Sequence, residues 1–93
     1  MNIKELKIAR KKIDKLDRRI FYLIKRRTKL VRYMLSLKKF KNQIVDYSRI
    51  NIILKNIKKK SIQDKIDPKV TSRIWKAMIW SYVDFQKRNF KKK

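Results

Sequence analysis

The chain has 93 residues with 30 Lys and Arg against 7 Asp and Glu, a formal net charge of +23, no Cys, no His, no Gly and one Pro. That length allows one domain with a modest core, and without Gly the hairpin turns and bulges of a β-protein have little to be built from, so the expected fold class is all-α. Lack of Cys and His excludes disulfides, thiolate catalysis, cysteine-ligated metal and the commonest general base, and no cofactor or metal is expected.

From Ile3 to about Lys39, apolar residues recur at helical spacing through Ile3, Leu6, Ile13, Leu16, Ile20, Leu23, Ile24, Leu30, Val31, Met34 and Leu37. This predicts one helix of about 36 residues, roughly 54 Å long. A compact monomer of this size is only about 30 Å across, so the helix needs a partner, most simply a second copy in a two-fold dimer. Lys39, Lys41, Asn42 and Gln43 break the pattern, and Asp46 or Ser48 caps a second helix with the stripe Tyr47, Ile50, Ile53, Leu54 and Ile57, fraying into Lys58 to Lys60. Residues 61–66 form the second connection. Asp67 followed by Pro68 starts a third helix, which turns Val70, Ile74, Ala77, Met78, Tyr82 and Phe85 inward. Trp75, Ile79, Trp80 and Phe90 broaden that face, and the helix ends in the basic tail Lys91 to Lys93. With no repeat and no linker, residues 1–93 read as a single helical domain. Three helices per chain, one very long, one short and one intermediate, intertwine as a helical-bundle homodimer.

The longest apolar runs, Ile20 to Ile24 and Ala77 to Trp80, are far below the roughly 18 residues of a membrane span. The opening MNIKELKIARKK is charged helix rather than a secretory segment. A soluble, cytoplasmic protein without a membrane partner is expected. The charge has two readings: coding DNA rich in A and T places Lys on solvated faces, and a surface this basic attracts polyanions.

Neither reading accounts for cations on an apolar stripe. Arg10 lies between Leu6 and Ile13, Arg27 lies between Leu23–Ile24 and Leu30–Val31, and Lys38 extends the same line. An inward guanidinium without a counter-charge costs several kcal/mol, and few of the acids fall on the stripe, which points to an anionic ligand. Arg10 and Arg27 are 17 residues apart, about 25 Å along a helix, too far for one small molecule to touch both in one chain. An antiparallel partner helix brings Arg10 of one copy beside the Arg27 region of the other. Arg27 and Lys38 are close to three turns apart, Asp46 and Arg49 open helix two near Lys38, and Gln86 is an amide in an apolar setting after Met78 and Tyr82. Taken singly these have ordinary explanations: a snorkelling arginine, a helix cap, an interface amide. Together they favour a pocket for a small polyanion.

These residues resemble the all-helical, AroQ-type chorismate mutases over nearly the whole chain. Arg10-Lys11-Lys12-Ile13-Asp14-Lys15-Leu16-Asp17 is similar to that family's R-x-x-I-D-x-[IL]-D opening, and Leu23-Ile24-Lys25-Arg26-Arg27 to its L-[LI]-x-x-R segment. Lys38 falls at the family's active-site lysine, Asp46 and Arg49 at its D-x-x-R, and Gln86 at its C-terminal glutamine. The resemblance implies a homodimer that converts chorismate to prephenate in aromatic amino acid biosynthesis. By the same resemblance Arg10, contributed across the interface, and Arg27 hold the two carboxylates. Lys38 and Gln86 bond the ether oxygen, Asp46 meets the ring hydroxyl, Arg49 supports the site electrostatically, and Tyr82 lines it. A Claisen rearrangement is unimolecular and needs no base, nucleophile, metal or redox group, which suits a chain without His and Cys.

One position departs from the mutase pattern. Ile50 stands where these enzymes usually have glutamate, and there and at Tyr82 the chain resembles the related isochorismate-pyruvate lyases, which release salicylate and pyruvate. Asp46 points back to the mutase. A basic helical nucleic-acid binder is the reading from another class, but it has no use for arginine on a buried stripe, and no specific nucleic acid is expected as a partner.

Overall fold

The computed structural model describes residues 2–91. Its elements are α1 (Ile3–Leu37), a 3₁₀ turn (Lys41–Gln43), α2 (Tyr47–Gln63) and α3 (Pro68–Asn89), with no strand among the described residues, as the all-α reading expects. Two compact units divide the chain between Tyr33 and Met34.

The first unit is most of α1. Asn2 Oδ1 accepts the Glu5 N–H at 3.1 Å and caps the first turn. The stripe is continuous but open in this chain: Leu16, Ile20 and Leu23 are 54%, 53% and 56% exposed.

The second unit is built on α2 and α3, which run antiparallel after a four-residue connection. Ile44, Ile50, Ile79 and Val83 are its buried apolar residues. Asp46 Oδ1 accepts the Arg49 N–H at 3.0 Å, and Asp67 Oδ1 accepts the Lys69 N–H at 2.9 Å, so both acids cap as the sequence suggests. Tyr47 and Trp80 meet across the pair with ring centroids 6.2 Å apart.

Three expectations need correction. α1 stops at Leu37, two residues short, which leaves Lys38 just beyond the helix. α2 does not fray at Lys58 to Lys60 but continues to Gln63. Its last turn is held by Ser61, 3% exposed, whose hydroxyl donates to the Ile57 carbonyl at 2.6 Å and shares a 2.7 Å bond with the Thr71 hydroxyl of α3. Buried polar atoms matched in this way tie α2 to α3 at a point where the sequence offers only Lys and Ser. On α3, Ile79, Val83 and Gln86 are buried, whereas Val70, Ile74 and Ala77 are exposed. α3 is apolar over a wide arc, and α2 covers one side of it.

The end of α2 has a Schellman geometry: Ile66 N–H reaches the Ser61 carbonyl at 2.8 Å and Lys65 N–H the Ile62 carbonyl at 3.3 Å. Lys65 sits at φ 56°, the left-handed region usually given to Gly. An L-residue there costs about 1–2 kcal/mol. Lys65→Gly is therefore expected to raise stability by about 1 kcal/mol, read as an upward shift of the thermal midpoint by circular dichroism.

No helix among the described residues is long and apolar enough to cross a membrane.

Candidate active site

Lys38 and Gln86 are 48 residues apart and meet directly. The Lys38 Nζ donates to Gln86 Oε1 at 2.7 Å, and Gln86 Nε2 donates to the Tyr82 carbonyl at 3.3 Å. Gln86 is 8% exposed. Its position on α3 follows from the spacing that buries Ile79 and Val83. Its amide orientation follows from chemistry: an ammonium only donates, so the oxygen must face Lys38 and the NH₂ must face the carbonyl. One Nε2 hydrogen is used by the Tyr82 carbonyl.

Partial burial pushes the Lys38 ammonium below the usual lysine value of 10.5, and the Asp46 carboxylate pulls part of the way back. Asp46, at the start of α2, therefore acts electrostatically on Lys38 while it caps Arg49. The folded chain binds this proton less tightly than the unfolded chain. Burial of the charged amine thus costs stability at neutral pH, and the cost fades as pH rises through the folded pKa to 10.5. Capacity to donate runs the other way, because the full set of N–H donors belongs to the cation and is lost as the amine deprotonates. The pH profile of kcat/KM is expected to fall on its alkaline side with a midpoint below 10.5, and Lys38→Arg is expected to move that limb upward.

The second unit also holds Tyr82, half-buried and edge-on to Phe85 with centroids 6.4 Å apart, and Ile50, 8% exposed. Ile50 is part of the α2–α3 core and offers no polar atom. Arg49 is exposed.

The remaining expected residues lie in the first unit. Arg10 is exposed and Arg27 is half-buried on α1. Leu16, Ile20 and Leu23 on the same stripe are open too, so exposure of Arg10 follows from the uncovered face of the helix.

Sequence reasoning passed over the segment that follows Lys38. Gln43 is read there only as part of a polar break, yet its side chain accepts the Lys39 and Phe40 N–H groups at 2.8 and 2.9 Å. Its position three residues after Phe40, the glutamine half of a capping box, is the signal that locates it. No group of three or more His, Cys, Asp or Glu side chains that could hold a metal occurs among the described residues.

Comparison with known families gives a match to chorismate mutase type II over residues 9–87. No curated protein and no solved structure gives a match. The matched span includes Arg10, Arg27, Lys38, Asp46, Arg49, Tyr82 and Gln86, and it crosses both units. The chain belongs to the type II chorismate mutase family, whose all-helical fold it has. Membership supports chorismate mutase activity, an isomerisation, with chorismate as the substrate the family implies.

Proposed function

We propose that the chain is a homodimeric chorismate mutase in which Lys38 and Gln86 donate to the breaking ether bond of chorismate and arginines hold its carboxylates. The observation that carries this reading is the Lys38–Gln86 contact at 2.7 Å with an oriented amide. The site then holds two sets of donors: the remaining N–H groups of the Lys38 ammonium and the unused N–H of Gln86. In the Claisen rearrangement the C–O bond breaks as a C–C bond forms, and negative charge grows on the ether oxygen. Donors fixed beforehand stabilise that charge without reorganising. Arg27, with Arg10 of the partner subunit, clamps the two carboxylates and holds the flexible dianion in its compact reactive shape. Asp46 uses one oxygen on the helix cap and keeps the other for the ring hydroxyl, Arg49 tunes the local field, and Tyr82 lines the site.

The dimer is supported by the open stripe of α1. A 35-residue helix is about 52 Å long, and its exposed apolar side chains are of the kind that a second copy covers. Assembly brings together two chains of +23 each. Screening weakens their repulsion, so sedimentation equilibrium is expected to give a tighter dimer at high salt than at low salt. The reverse trend would count against a dimer of like-charged helices.

Ile50 leaves the ring side of the substrate without the glutamate usual in mutases. The deciding experiment supplies chorismate and isochorismate separately. Prephenate from chorismate is the expected result, whereas salicylate and pyruvate from isochorismate alone would reassign the chain to the lyases. Absence of both activities would remove the enzyme reading.

A further inference from the structure

Lys38 reaches Gln86 from a segment that is no longer helical. Its N–H bonds the Leu35 carbonyl at 3.1 Å, three residues back, and the next residues leave the helix axis. A lysine on such a segment is poorly fixed, because a four-carbon stem and a free backbone both let the ammonium wander. The backbone here is not free. Gln43 Oε1 accepts from Lys39 N at 2.8 Å and from Phe40 N at 2.9 Å, while Gln43 N–H donates to the Phe40 carbonyl at 3.1 Å. Phe40 is therefore held by Gln43 at both its N–H and its C=O. Ile44 N–H closes on the Lys41 carbonyl at 3.1 Å, and the Ile44 side chain is buried, which anchors the turn to the core of the unit.

The Lys39 N–H is the important contact. It lies in the planar peptide unit that contains the Lys38 Cα and carbonyl, so fixing that N–H fixes the plane from which the Lys38 side chain departs. We propose that Gln43 is a positioning residue for Lys38: by holding the peptide planes just after Lys38, its carboxamide sets the direction in which the ammonium meets Gln86 and the substrate. The proposal rests on the reading of Lys38 as a substrate donor. Gln43 itself touches neither Lys38 Nζ nor Gln86.

Gln43→Met keeps the length of the side chain and removes the acceptor, while Gln43→Glu keeps an acceptor oxygen. With chorismate as the probe, Gln43→Met is expected to lower kcat by about tenfold to a hundredfold, the scale of a 1 Å misplacement, with a smaller change in KM, and Gln43→Glu is expected to recover most of that loss. In a Lys38→Ala background Gln43→Met adds no further loss, because its effect passes through Lys38. A second measurement does not need turnover: the Lys38 ammonium, followed by nitrogen NMR through an alkaline titration, moves upward toward 10.5 in Gln43→Met as it leaves its partly buried place. Gln43→Asn, whose shorter amide falls short of both N–H groups, gives the same result if the methionine chain does not fold. Unchanged kcat in Gln43→Met, or an equal loss with and without Lys38, overturns the proposal. If wild type makes no prephenate, the functional reading falls on its own, and the Lys38 titration still decides the positioning: no shift in the variants overturns it.

Discussion

Lys38→Ala is expected to lower kcat by about 10²- to 10³-fold, and Gln86→Ala by a similar factor, equivalent to roughly 3–4 kcal/mol of transition-state stabilisation for one preorganised donor. The reasoning is differential: the ether oxygen of bound chorismate is a weak acceptor, and its charge grows only as the C–O bond breaks, so a donor aimed there acts mainly on kcat. The two losses should not add. Lys38 Nζ and Gln86 Oε1 are 2.7 Å apart, and removal of either releases the other. Without Lys38 the Gln86 amide loses the partner that orients it, and without Gln86 the ammonium loses its acceptor. A double variant close to the worse single variant is expected, with a coupling well above the few tenths of a kcal/mol seen for independent sites. Prephenate formation in all four combinations, at saturating chorismate, measures this. Wild-type kcat in either single variant would remove the pair from the mechanism.

How much of this was legible in the sequence depends on what each signal encodes. Period and caps are local: Asp46, Asp67 and Pro68 place two helix starts, and the repeat of apolar residues gives α1 but carries it about two residues past its end at Leu37. Convergence of Lys38, Asp46 and Gln86 is non-local, and it was legible only because an inward cation and an inward amide are both costly without partners and resemble a known pattern. The α2 terminus depends on a bond between Ser61 and Thr71, and the turn after it on Lys65 in a conformation normally left to Gly. Neither is predicted by residue type: the first is decided by α3, and the second puts a lysine where the local pattern calls for Gly. The face of α3 was misplaced for a similar reason: periodicity defines an apolar arc, and only the position of α2 selects which part of it Ile79, Val83 and Gln86 bury. Gln43 was missed because the residue three before it is Phe40, which has no side-chain acceptor, so only the glutamine half of a capping box stands in the sequence.

The chain of origin of each arginine can be tested in solution by subunit exchange. If every site takes Arg27 from one subunit and Arg10 from the other, the chains Arg10→Ala and Arg27→Ala are each nearly inactive alone, since one carboxylate of the dianion is left without its clamp. Mixed and allowed to exchange, they form heterodimers in which one site has lost both arginines and the other has both intact. Random pairing places about half of the chains in heterodimers, and half of the sites in these are whole, so the mixture is expected to regain about one quarter of wild-type activity per chain. The distance between the two residues makes the test decisive: 17 positions on one helix, about 25 Å, prevent Arg10 and Arg27 of the same chain from clamping one small molecule. Were both arginines supplied by one chain, the heterodimer would carry one defect in each site and nothing would be regained. The recovery is expected to be faster at low salt, where the subunits exchange more readily if repulsion between the α1 helices limits the dimer. A mixture that stays inactive after complete exchange, with heterodimers present by native mass spectrometry, would place Arg10 outside the shared site.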